Sequence, residues 1–421
     1  PAEAEGPVTQ GFPSGVRHTR EIETKAPVMS GSPRANGVDF AFGGTNEPAI
    51  AVNSLNALNI AAASLFSSRV STNGGVTWTA AQSATVPAGY FQNGDPALAF
   101  DSQGRLFWVY LGGFNANSFA ELFISRLNPT TGAIAAGPFA VTSTAAAGTG
   151  NNDKGWLAAD RFAGSPFVDR LYIAWSDFIA SPVRVLFKYS TDQGATWSTA
   201  IQLSAATDGG FPWPTHVAVA PNGDVYVSYH DGSAAGGSGR VWVLRSTDGG
   251  VSFPQKTQAF TPGQADTTYN VQTSPGTIPG TQFWLQGSGQ AWVVPDATIP
   301  GNVYVVASDD PDNTHGSGDE SNIYISRSTN NGLTWNAPIR VDHGPGTSFQ
   351  VMPTAAMDDL GCIAVMWYDN RQGNLNANSR YLLDVYYSIS NDHGLSWAAD
   401  VQINDAHFNP DLGAPVRFAG P

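Results

Sequence analysis

One stretch, Ser190-Thr191-Asp192-Gln193-Gly194-Ala195-Thr196-Trp197, decides the fold. It follows a run of aromatic and β-branched residues and has the chemistry of a hairpin turn. The Asp side chain caps backbone N–H groups of its own turn, the Gly takes a positive φ, and the Trp packs between neighbouring sheets. The same Ser-x-Asp/Asn-x-Gly-x-x-Trp pattern, once with Phe in place of Trp, recurs at Ser71–Trp78, Ser246–Phe253, Ser328–Trp335 and Ser390–Trp397. Five copies predict an array of repeated β-sheets.

Two other kinds of segment repeat along the chain. The first kind is short, is rich in small and apolar residues, and is followed by a turn with Gly or Asn. Its copies begin at Glu47, Asp95, Lys154, Pro214, Gln290 and Met352. The second kind is an apolar strand such as Leu171–Trp175, whose aromatic and β-branched residues favour β-structure. Because no window has a sustained 3.6-residue periodicity, the sequence predicts an all-β fold with almost no helix.

The five hairpins resemble the Asp-box (BNR) repeats of sialidases and related β-propellers. With this resemblance, six first-strand segments and five boxes indicate a six-bladed β-propeller of four-stranded antiparallel blades. The second unit departs from the pattern, because Asn128-Pro129-Thr130-Thr131-Gly132 stands where a box is expected. The predicted parts are an N-terminal extension (residues 1–36), the propeller (37–405) with an insertion (254–288) between blades four and five, and a C-terminal tail (406–421).

Composition excludes several classes of protein. The chain has 421 residues, of which 42% are hydrophobic and 13% charged, and its net charge is −14. These values rule out a disordered chain, a coiled coil and a membrane-spanning bundle, and the lack of a Lys/Arg cluster argues against nucleic-acid binding. The one cysteine, Cys362, excludes an intramolecular disulfide and is predicted to be a small buried hydrophobe. The low Lys content and the many Asn, Thr, Ser and Gly residues predict a secreted or cell-surface protein.

The two ends of the blades are predicted to have different roles. In propellers, the loops into the first strands and those joining second to third strands share the functional face, whereas the boxes lie on the opposite face and are structural. Glu47, Asp95 and Asp153 stand at the starts of first strands near the central channel and are the candidate catalytic residues. Paired carboxylates can act as general acid and base or as nucleophile in glycoside hydrolysis. In the alternative interpretation, Glu47 and Asp95 cap loop backbone beside a proline.

The resemblance to sialidases also implies substrate-binding residues. Those enzymes use three arginines that clamp a carboxylate, a Tyr–Glu nucleophile pair and an acid/base Asp, and an Arg fork matches a carboxylate bidentately. The early Phe/Tyr-Arg-Ile-Pro segment of the family is missing here, and Tyr368 or Tyr381 would stand for the nucleophile without a convincing Glu partner. The candidate clamp arginines are Arg69, Arg184, Arg240 and Arg380. The other candidate substrate-binding residues are Trp213, His216, His230 and Arg371.

An acidic loop is the candidate metal site. Dense hard oxygens with Gly suit Ca²⁺, and the alternative is a solvated acidic loop. The candidate ligands are Asp309, Asp310, Asp312, Asp319 and Glu320. The histidines lack the spacing that zinc requires, and no Gly-rich phosphate loop follows a strand and opens a helix, so neither zinc nor an organic cofactor is expected.

Three functions remain open at the level of sequence. The first is an exported, sialidase-like glycoside hydrolase that acts on a terminal sugar, neutral or acidic, of a carbohydrate or glycoconjugate in the channel mouth. The second is a non-catalytic surface propeller that binds glycans or proteins. The third is a polysaccharide lyase, which needs a Tyr or His base near an Arg or Lys, and for which His216, His230 and Tyr229 are candidates.

Overall fold

The computed structural model describes residues 47–114, 120–142, 150–208, 210–233, 240–260, 291–309, 321–379 and 381–410. All of them belong to one compact unit, residues 33–421. The predicted extension, most of the predicted insertion and most of the predicted tail lie outside the described residues. The described part of the chain is all-β, and it contains no helix of the length and apolarity that a membrane crossing needs.

The strands form six antiparallel sheets, the blades of a propeller. Blade 1 contains β1 (Pro48–Asn53), β2 (Asn56–Ser64), β3 (Ser67–Ser71) and β4 (Gln82–Ser83). Blade 2 contains β5 (Phe91–Gln92), β6 (Ala97–Phe100), β7 (Leu106–Gly113), β8 (Ala120–Leu127) and β9 (Ile134–Ala140). Blade 3 contains β10 (Asn152–Ala159), β11 (Leu171–Asp177), β12 (Arg184–Ser190) and β13 (Ile201–Gln202).

The remaining three blades follow the same order of strands. Blade 4 contains β14 (Gly210–Val219), β15 (Val225–Ser233), β16 (Arg240–Ser246) and β17 (Gln255–Gln258). Blade 5 contains β18 (Trp292–Pro295), β19 (Val303–Asp309), β20 (Asn322–Ser328) and β21 (Ile339–Arg340). Blade 6 contains β22 (Gln350–Met357), β23 (Ile363–Asp369), β24 (Asp384–Ser390) and β25 (Val401–Gln402). The prediction of a six-bladed propeller is confirmed, with the innermost strand of blade 2 divided into β5 and β6, both paired with β7.

Strand register separates the two ends of each blade. In blade 3, Asp153 pairs with Ser176 at the end where the inner strand starts. At the other end, Leu171 pairs with both Ala159 and Ser190, the first residue of the box. We call the first the front end and the second the box end. The candidate carboxylates and the boxes therefore lie at opposite ends of the blades, as predicted.

The box of blade 3 has the predicted turn chemistry. Ser190 donates its hydroxyl hydrogen to Asp192 Oδ1 (2.8 Å) and accepts from the Gly194 N–H (2.9 Å), while Asp192 Oδ1 accepts from the Thr196 N–H (2.9 Å). Gly194 has a φ of 83°, which a residue with a Cβ rarely adopts. Trp197 packs against the hydrophobic cluster shared by blades 2 and 3, so its predicted place between neighbouring sheets is confirmed.

Hydrophobic clusters fill five boundaries between neighbouring blades. They join blades 1 and 2, 2 and 3, 3 and 4, 4 and 5, and 5 and 6. Each cluster combines side chains from the facing surfaces of two sheets, and burial of this apolar area holds the ring together. A sixth, smaller cluster lies at the front end of blade 6 and includes Phe349, Leu383 and Phe408.

Two sequence expectations need correction. The predicted insertion begins too early, because residues 255–258 form the outer strand β17 and the next two residues, Ala259 and Phe260, are buried against blade 5. Cys362 is partly exposed rather than buried. It lies in the turn before β23, where its N–H donates to Asp358 Oδ1 (2.9 Å), so its side chain is not part of the alternating core positions of that strand.

Candidate functional site

The front ends of four inner strands share an unusual backbone conformation. Glu47, Asp95, Lys154 and Met352 have φ values of 55°, 51°, 48° and 52°, in the left-handed region that non-glycine residues seldom occupy. All four stand at the first position of the repeated inner-strand segment, directly before Pro or Gly. Such strained positions persist only where surrounding structure fixes them, and they cluster at functional sites. In blades 1 to 3 this position carries a charged side chain.

These three charged side chains meet. Lys154 Nζ lies 2.9 Å from Glu47 Oε1 and also forms an ion pair with Asp95. The Asp95 N–H donates to Glu47 Oε2 (2.9 Å). The contacts join blades 1, 2 and 3 at their front ends, and the Asp95 side chain is only 5% exposed, whereas those of Lys154 and Glu47 are 27% and 28% exposed. The sequence-based candidates Glu47 and Asp95 are thus brought together, with a lysine between them.

Asp153, the third candidate, lies beside Asp95. The Lys154 N–H donates to both Asp95 Oδ2 (3.0 Å) and Asp153 Oδ1 (3.0 Å). Since both oxygens bond the same nitrogen, the two carboxyl groups are within about 6 Å of each other, below the separation typical of inverting glycosidases. Trp213 donates its indole N–H to Asp153 Oδ2 (2.9 Å) and so fixes the orientation of that carboxylate. We call Glu47, Asp95, Asp153 and Lys154 the carboxylate cluster.

Burial and like charge alter the protonation of this cluster. Desolvation raises the pKa of Asp95 to about 6; the Lys154 ammonium opposes this shift and the neighbouring Asp153 carboxylate adds to it. Desolvation and the Asp95 charge also raise the pKa of Glu47. Although burial lowers the pKa of Lys154, the carboxylates of Asp95, Glu47 and Asp153 outweigh it and raise that pKa, so Lys154 stays charged. The arrangement places a protonatable carboxyl beside an oriented carboxylate, which is what acid–base or nucleophilic catalysis requires.

The proposed arginine clamp is not assembled in the described part of the chain. Arg69 donates to the Thr79 carbonyl oxygen (2.9 Å), and Arg184 pairs with Asp177, the last residue of the neighbouring strand. Arg240 is exposed at the start of β16, and Arg380 lies outside the described residues. The printed partners of Arg69 and Arg184 therefore lie in the same blade as each arginine rather than around a common ligand.

Arg371, Tyr368 and Tyr381 make their contacts with residues of blade 6 and the segments that flank it. The Arg371 guanidinium binds Asp369 Oδ2 (2.6 Å) and Asp400 Oδ2 (2.7 Å), so it links these two residues within the structure. Tyr368 packs edge-on against Phe408 (5.4 Å between ring centroids), and Tyr381 packs against Phe349 (6.3 Å). Burial raises the pKa of Tyr368, which disfavours the phenolate that a nucleophile needs.

The histidine candidates are buried and neutral. His216 packs between two tryptophans, Trp156 (5.1 Å) and Trp292 (4.4 Å), which occupy the same position in the inner strands of blades 3 and 5. Burial lowers the pKa of His216 to about 3 and that of His230 to about 4. Tyr229, the tyrosine considered for a lyase, is fully buried and donates its hydroxyl to Asp208 Oδ2 (2.6 Å). These side chains form packed aromatic structure rather than an accessible base.

The candidate calcium loop falls mostly outside the described residues. Asp309 is buried at the end of β19, and its four proposed companions, Asp310, Asp312, Asp319 and Glu320, are among the residues that the structure does not describe. In the described ranges there is no group of three His, Cys, Asp or Glu side chains placed to hold a metal ion. Calcium binding at this loop stays a prediction.

Sequence reasoning missed the part that Lys154 plays. Lys154 contacts Asp95 and Glu47, which lie 59 and 107 positions earlier in the chain, and no local sequence pattern predicts contacts over such separations. A signal existed, because Lys154 occupies the same repeat position as Glu47 and Asp95, and equivalent positions in successive blades lie side by side around the channel. The same reasoning would have grouped Trp156 and Trp292 with His216.

Comparison with known proteins identifies one copy of the repeat and finds solved structures of low similarity. Residues 188–199 match the BNR/Asp-box repeat family. A family GH93 α-L-arabinofuranosidase of Fusarium graminearum, solved with arabinobiose, is 17% identical over 56% of this chain and 63% of its own, with a TM-score of 0.41. The Hadza microbial sialidase Hz136 is 11% identical over 83% of this chain and 67% of its own, with a TM-score of 0.46. The NanB sialidase of Streptococcus pneumoniae is 11% identical over 88% of this chain and 62% of its own, with a TM-score of 0.41. The chain thus spans just under two thirds of the length of the arabinofuranosidase. No curated protein sequence matches it.

Proposed function

We propose that this Asp-box (BNR-repeat) β-propeller is a glycoside hydrolase with its active site at the carboxylate cluster. Asp95 is the general acid, and Asp153 is the nucleophile. The observation that carries the proposal is the buried Asp95 carboxyl, with its pKa raised to about 6, next to an Asp153 carboxylate oriented by Trp213. A carboxyl of this kind holds a proton at weakly acidic pH and can deliver it to a leaving-group oxygen.

The close spacing of the two carboxyl groups favours a retaining mechanism. Asp153 attacks the anomeric carbon while Asp95 protonates the departing oxygen, which leaves a covalent glycosyl–enzyme intermediate and an Asp95 carboxylate. That carboxylate then accepts a proton from the water that cleaves the intermediate, so both groups return to their starting states. Lys154 and Trp213 are positioning residues, since they bind the carboxylates rather than the reacting atoms.

The arginine contacts support a neutral sugar rather than a sialic acid as the substrate. Arg184 and Arg371 are each bound to carboxylates, and Arg69 is bound to a backbone carbonyl. The carboxylate cluster itself carries one cation against three carboxylates, and it therefore repels an anionic ligand. Export of the protein stays a prediction from composition.

The test uses aryl glycosides of neutral hexoses, pentoses and sialic acid, with the anomeric product read by NMR. For Asp95→Asn we expect kcat to fall by about 10²–10⁴-fold on substrates with poor leaving groups. The loss is smaller with a dinitrophenyl leaving group, which needs no proton. Asp153→Asn removes turnover of every substrate, and the box variant Asp192→Asn, a matched control, leaves kcat unchanged. Absence of turnover with the whole panel, or equal turnover by wild type and Asp153→Asn, contradicts the proposal.

A second function, sugar binding without cleavage, is favoured by one observation. Lys154 forms ion pairs with both Glu47 and Asp95, and these ion pairs can hold three blades together without taking part in a reaction. Calorimetry separates the two functions. Saturable binding of a sugar that is recovered intact, with weaker binding by Asp153→Asn, identifies a binding protein.

A further inference from the structure

An aromatic group reaches into the central channel from three consecutive blades. Trp156, His216 and Trp292 occupy the same repeat position in the inner strands β10, β14 and β18. Their ring centroids lie 5.1 Å apart for Trp156 and His216, 4.4 Å for His216 and Trp292, and 4.7 Å for the two tryptophans. Because blade 4 lies between blades 3 and 5, the two tryptophan rings can meet only on the channel side of β14. We call these three residues the aromatic wall.

The aromatic wall lies directly behind the carboxylate cluster. Trp156 follows Lys154 by two residues in β10, so their Cα atoms are at most about 7 Å apart. Thr215, the residue before His216, donates its hydroxyl hydrogen to the Lys154 carbonyl oxygen (3.4 Å) and so links β14 to β10 at this level. Since the inner strands start at the front end, the wall is one step deeper in the channel than the cluster. A ligand that enters at the front end therefore meets the carboxylates first and the aromatic rings next.

Packing alone does not explain the aromatic wall. Trp156 and Trp292 are partly exposed, whereas Trp175 in the core is 2% exposed. His216 is 6% exposed, and its Nδ1 atom, like Trp292 Nε1, is buried without a hydrogen-bond partner in the described part of the chain. Such an atom costs stability unless something else satisfies it, so it calls for a functional explanation. The fold does not require large rings here, since the other three blades carry small residues at this position: Thr354, Ala49 and Ala97.

We propose that the aromatic wall is a subsite that binds the ring of a neutral sugar. A sugar ring carries hydroxyl groups at its edge and C–H groups on its faces. The C–H face stacks on Trp156 and Trp292, which removes apolar area from water, while the hydroxyl groups bond the carboxylates in front and the polar atoms of the wall. Ligand sites generally combine aromatic side chains with a few polar groups in this way. The subsite rests on the placement of the site proposed above, but it does not depend on cleavage.

Charge favours a neutral sugar over an acidic one at this subsite. Burial lowers the pKa of His216 to about 3, so the aromatic wall is uncharged at neutral pH. The carboxylate cluster in front of it has three carboxylates against one ammonium group, and these repel a carboxylate on the ligand. A purely apolar ligand is disfavoured as well, because it would remove the carboxylates from water without hydrogen bonds in exchange. An uncharged ring with many hydroxyl groups satisfies both conditions.

The experiment titrates the full chain with free D-glucose, D-galactose, L-arabinose and N-acetylneuraminic acid, followed by saturation-transfer NMR. These monosaccharides have no glycosidic bond, so the result does not depend on hydrolysis. We expect saturable binding of at least one neutral sugar, with saturation passing from aromatic protons of the protein to its ring C–H protons. Trp156→Ala and Trp292→Ala should each raise Kd about tenfold. Trp156→Phe keeps an aromatic face and fills most of the same volume, and it should raise Kd by less.

The matched control is Trp197→Phe, which alters the box tryptophan of blade 3 and should lower Tm while it leaves Kd unchanged. A lower Tm with an unchanged Kd in Trp156→Ala and Trp156→Phe would show that the aromatic wall serves packing only, and would overturn the proposal. It is equally overturned if no neutral sugar binds, or if N-acetylneuraminic acid binds more tightly than all of them. If a neutral sugar binds through the wall but no aryl glycoside is cleaved, the subsite stands and the hydrolase proposed above fails.

Discussion

Aspartates at the two ends of the blades differ in what surrounds the carboxylate. At the box end of blade 3, Asp192 lies on the surface and accepts hydrogen bonds from Ser190 and from the hydroxyl and N–H of Thr196. Slight burial opposes them, but these bonds together lower the pKa of Asp192. At the front end, burial of Asp95 dominates and raises its pKa to about 6. The same residue type is thus a turn cap at one end and a buried carboxyl with a raised pKa at the other.

This difference shows which positions of a repeat protein are good candidates for function: those whose contacts come from more than one blade. The box carboxylate is satisfied by donors within four residues, so its role is complete inside one hairpin. The Asp95 carboxylate depends on Lys154 and Asp153, which belong to the next blade. Positions whose environment is built from several blades are free to hold strained backbone and shifted pKa values, because the surrounding ring fixes them.

The largest effect should follow removal of the cation from the front end. Lys154→Met removes the ammonium group that forms ion pairs with both Glu47 and Asp95. Breaking a buried ion pair in this way costs about 3–5 kcal/mol of unfolding free energy. Urea denaturation at pH 7 measures the loss, and at pH 5 it is smaller because Asp95 and Glu47 then take up protons. A loss below about 1 kcal/mol would mean that the cluster is not the electrostatic centre described above.

Protonation of Asp95 should give the second largest effect. Its pKa is about 6 in the folded chain and 3.8 as the ordinary value, so the folded state binds the proton more tightly. The stabilisation is complete below about pH 4 and is lost as pH rises through 6. Relative to Asp95→Asn, the wild type should therefore lose about 2 kcal/mol between pH 4 and pH 8.

The box end supplies the opposite sign for that experiment. The lowered pKa of Asp192 means that its stabilisation is present above the ordinary value of 3.8 and is lost as pH falls through the folded-state pKa. The difference between the wild type and Asp192→Asn should accordingly shrink on acidification. For the Asp95 prediction, the contradicting outcome is a difference in unfolding free energy between the wild type and Asp95→Asn that does not change with pH. That outcome would show that folding does not shift the pKa of Asp95.

Sequence predicts the box end far better than the front end. The Ser-x-Asp-x-Gly-x-x-Trp pattern specifies donors, acceptor and turn glycine within eight residues, so both the hairpin and its structural role follow from local chemistry. At the front end, residue type and repeat position identify Glu47, Asp95 and Asp153, but not the Lys154 contacts that set their protonation. Residue type alone likewise does not reveal that Arg184 and Arg371 are bound by carboxylates of their own blades.

A smaller effect is expected from cutting one box cap. Asp192→Ala removes the acceptor for the Thr196 N–H and for the Ser190 hydroxyl, and a lost cap costs about 1 kcal/mol. Thr191→Ala, its exposed neighbour, is the matched control and should stay within about 0.5 kcal/mol of the wild type. Denaturation midpoints measure both. Sugar turnover or binding should be the same in both variants, and any selective loss in Asp192→Ala would assign the boxes a part in ligand binding.

The smallest effect is expected from an ion pair at the box end that, like the Lys154 contacts, joins different blades. Arg161 follows the inner strand of blade 3 and binds Asp359 of blade 6 (2.8 Å), but the two side chains are 29% and 66% exposed. Solvent screens such a pair, so a double-mutant cycle with Arg161→Ala and Asp359→Ala should give a coupling energy of about 0–1 kcal/mol that decreases in high salt. A coupling energy as large as the loss of unfolding free energy in Lys154→Met would contradict this view. It would mean that ion pairs between blades are strong whether or not the carboxylate is buried.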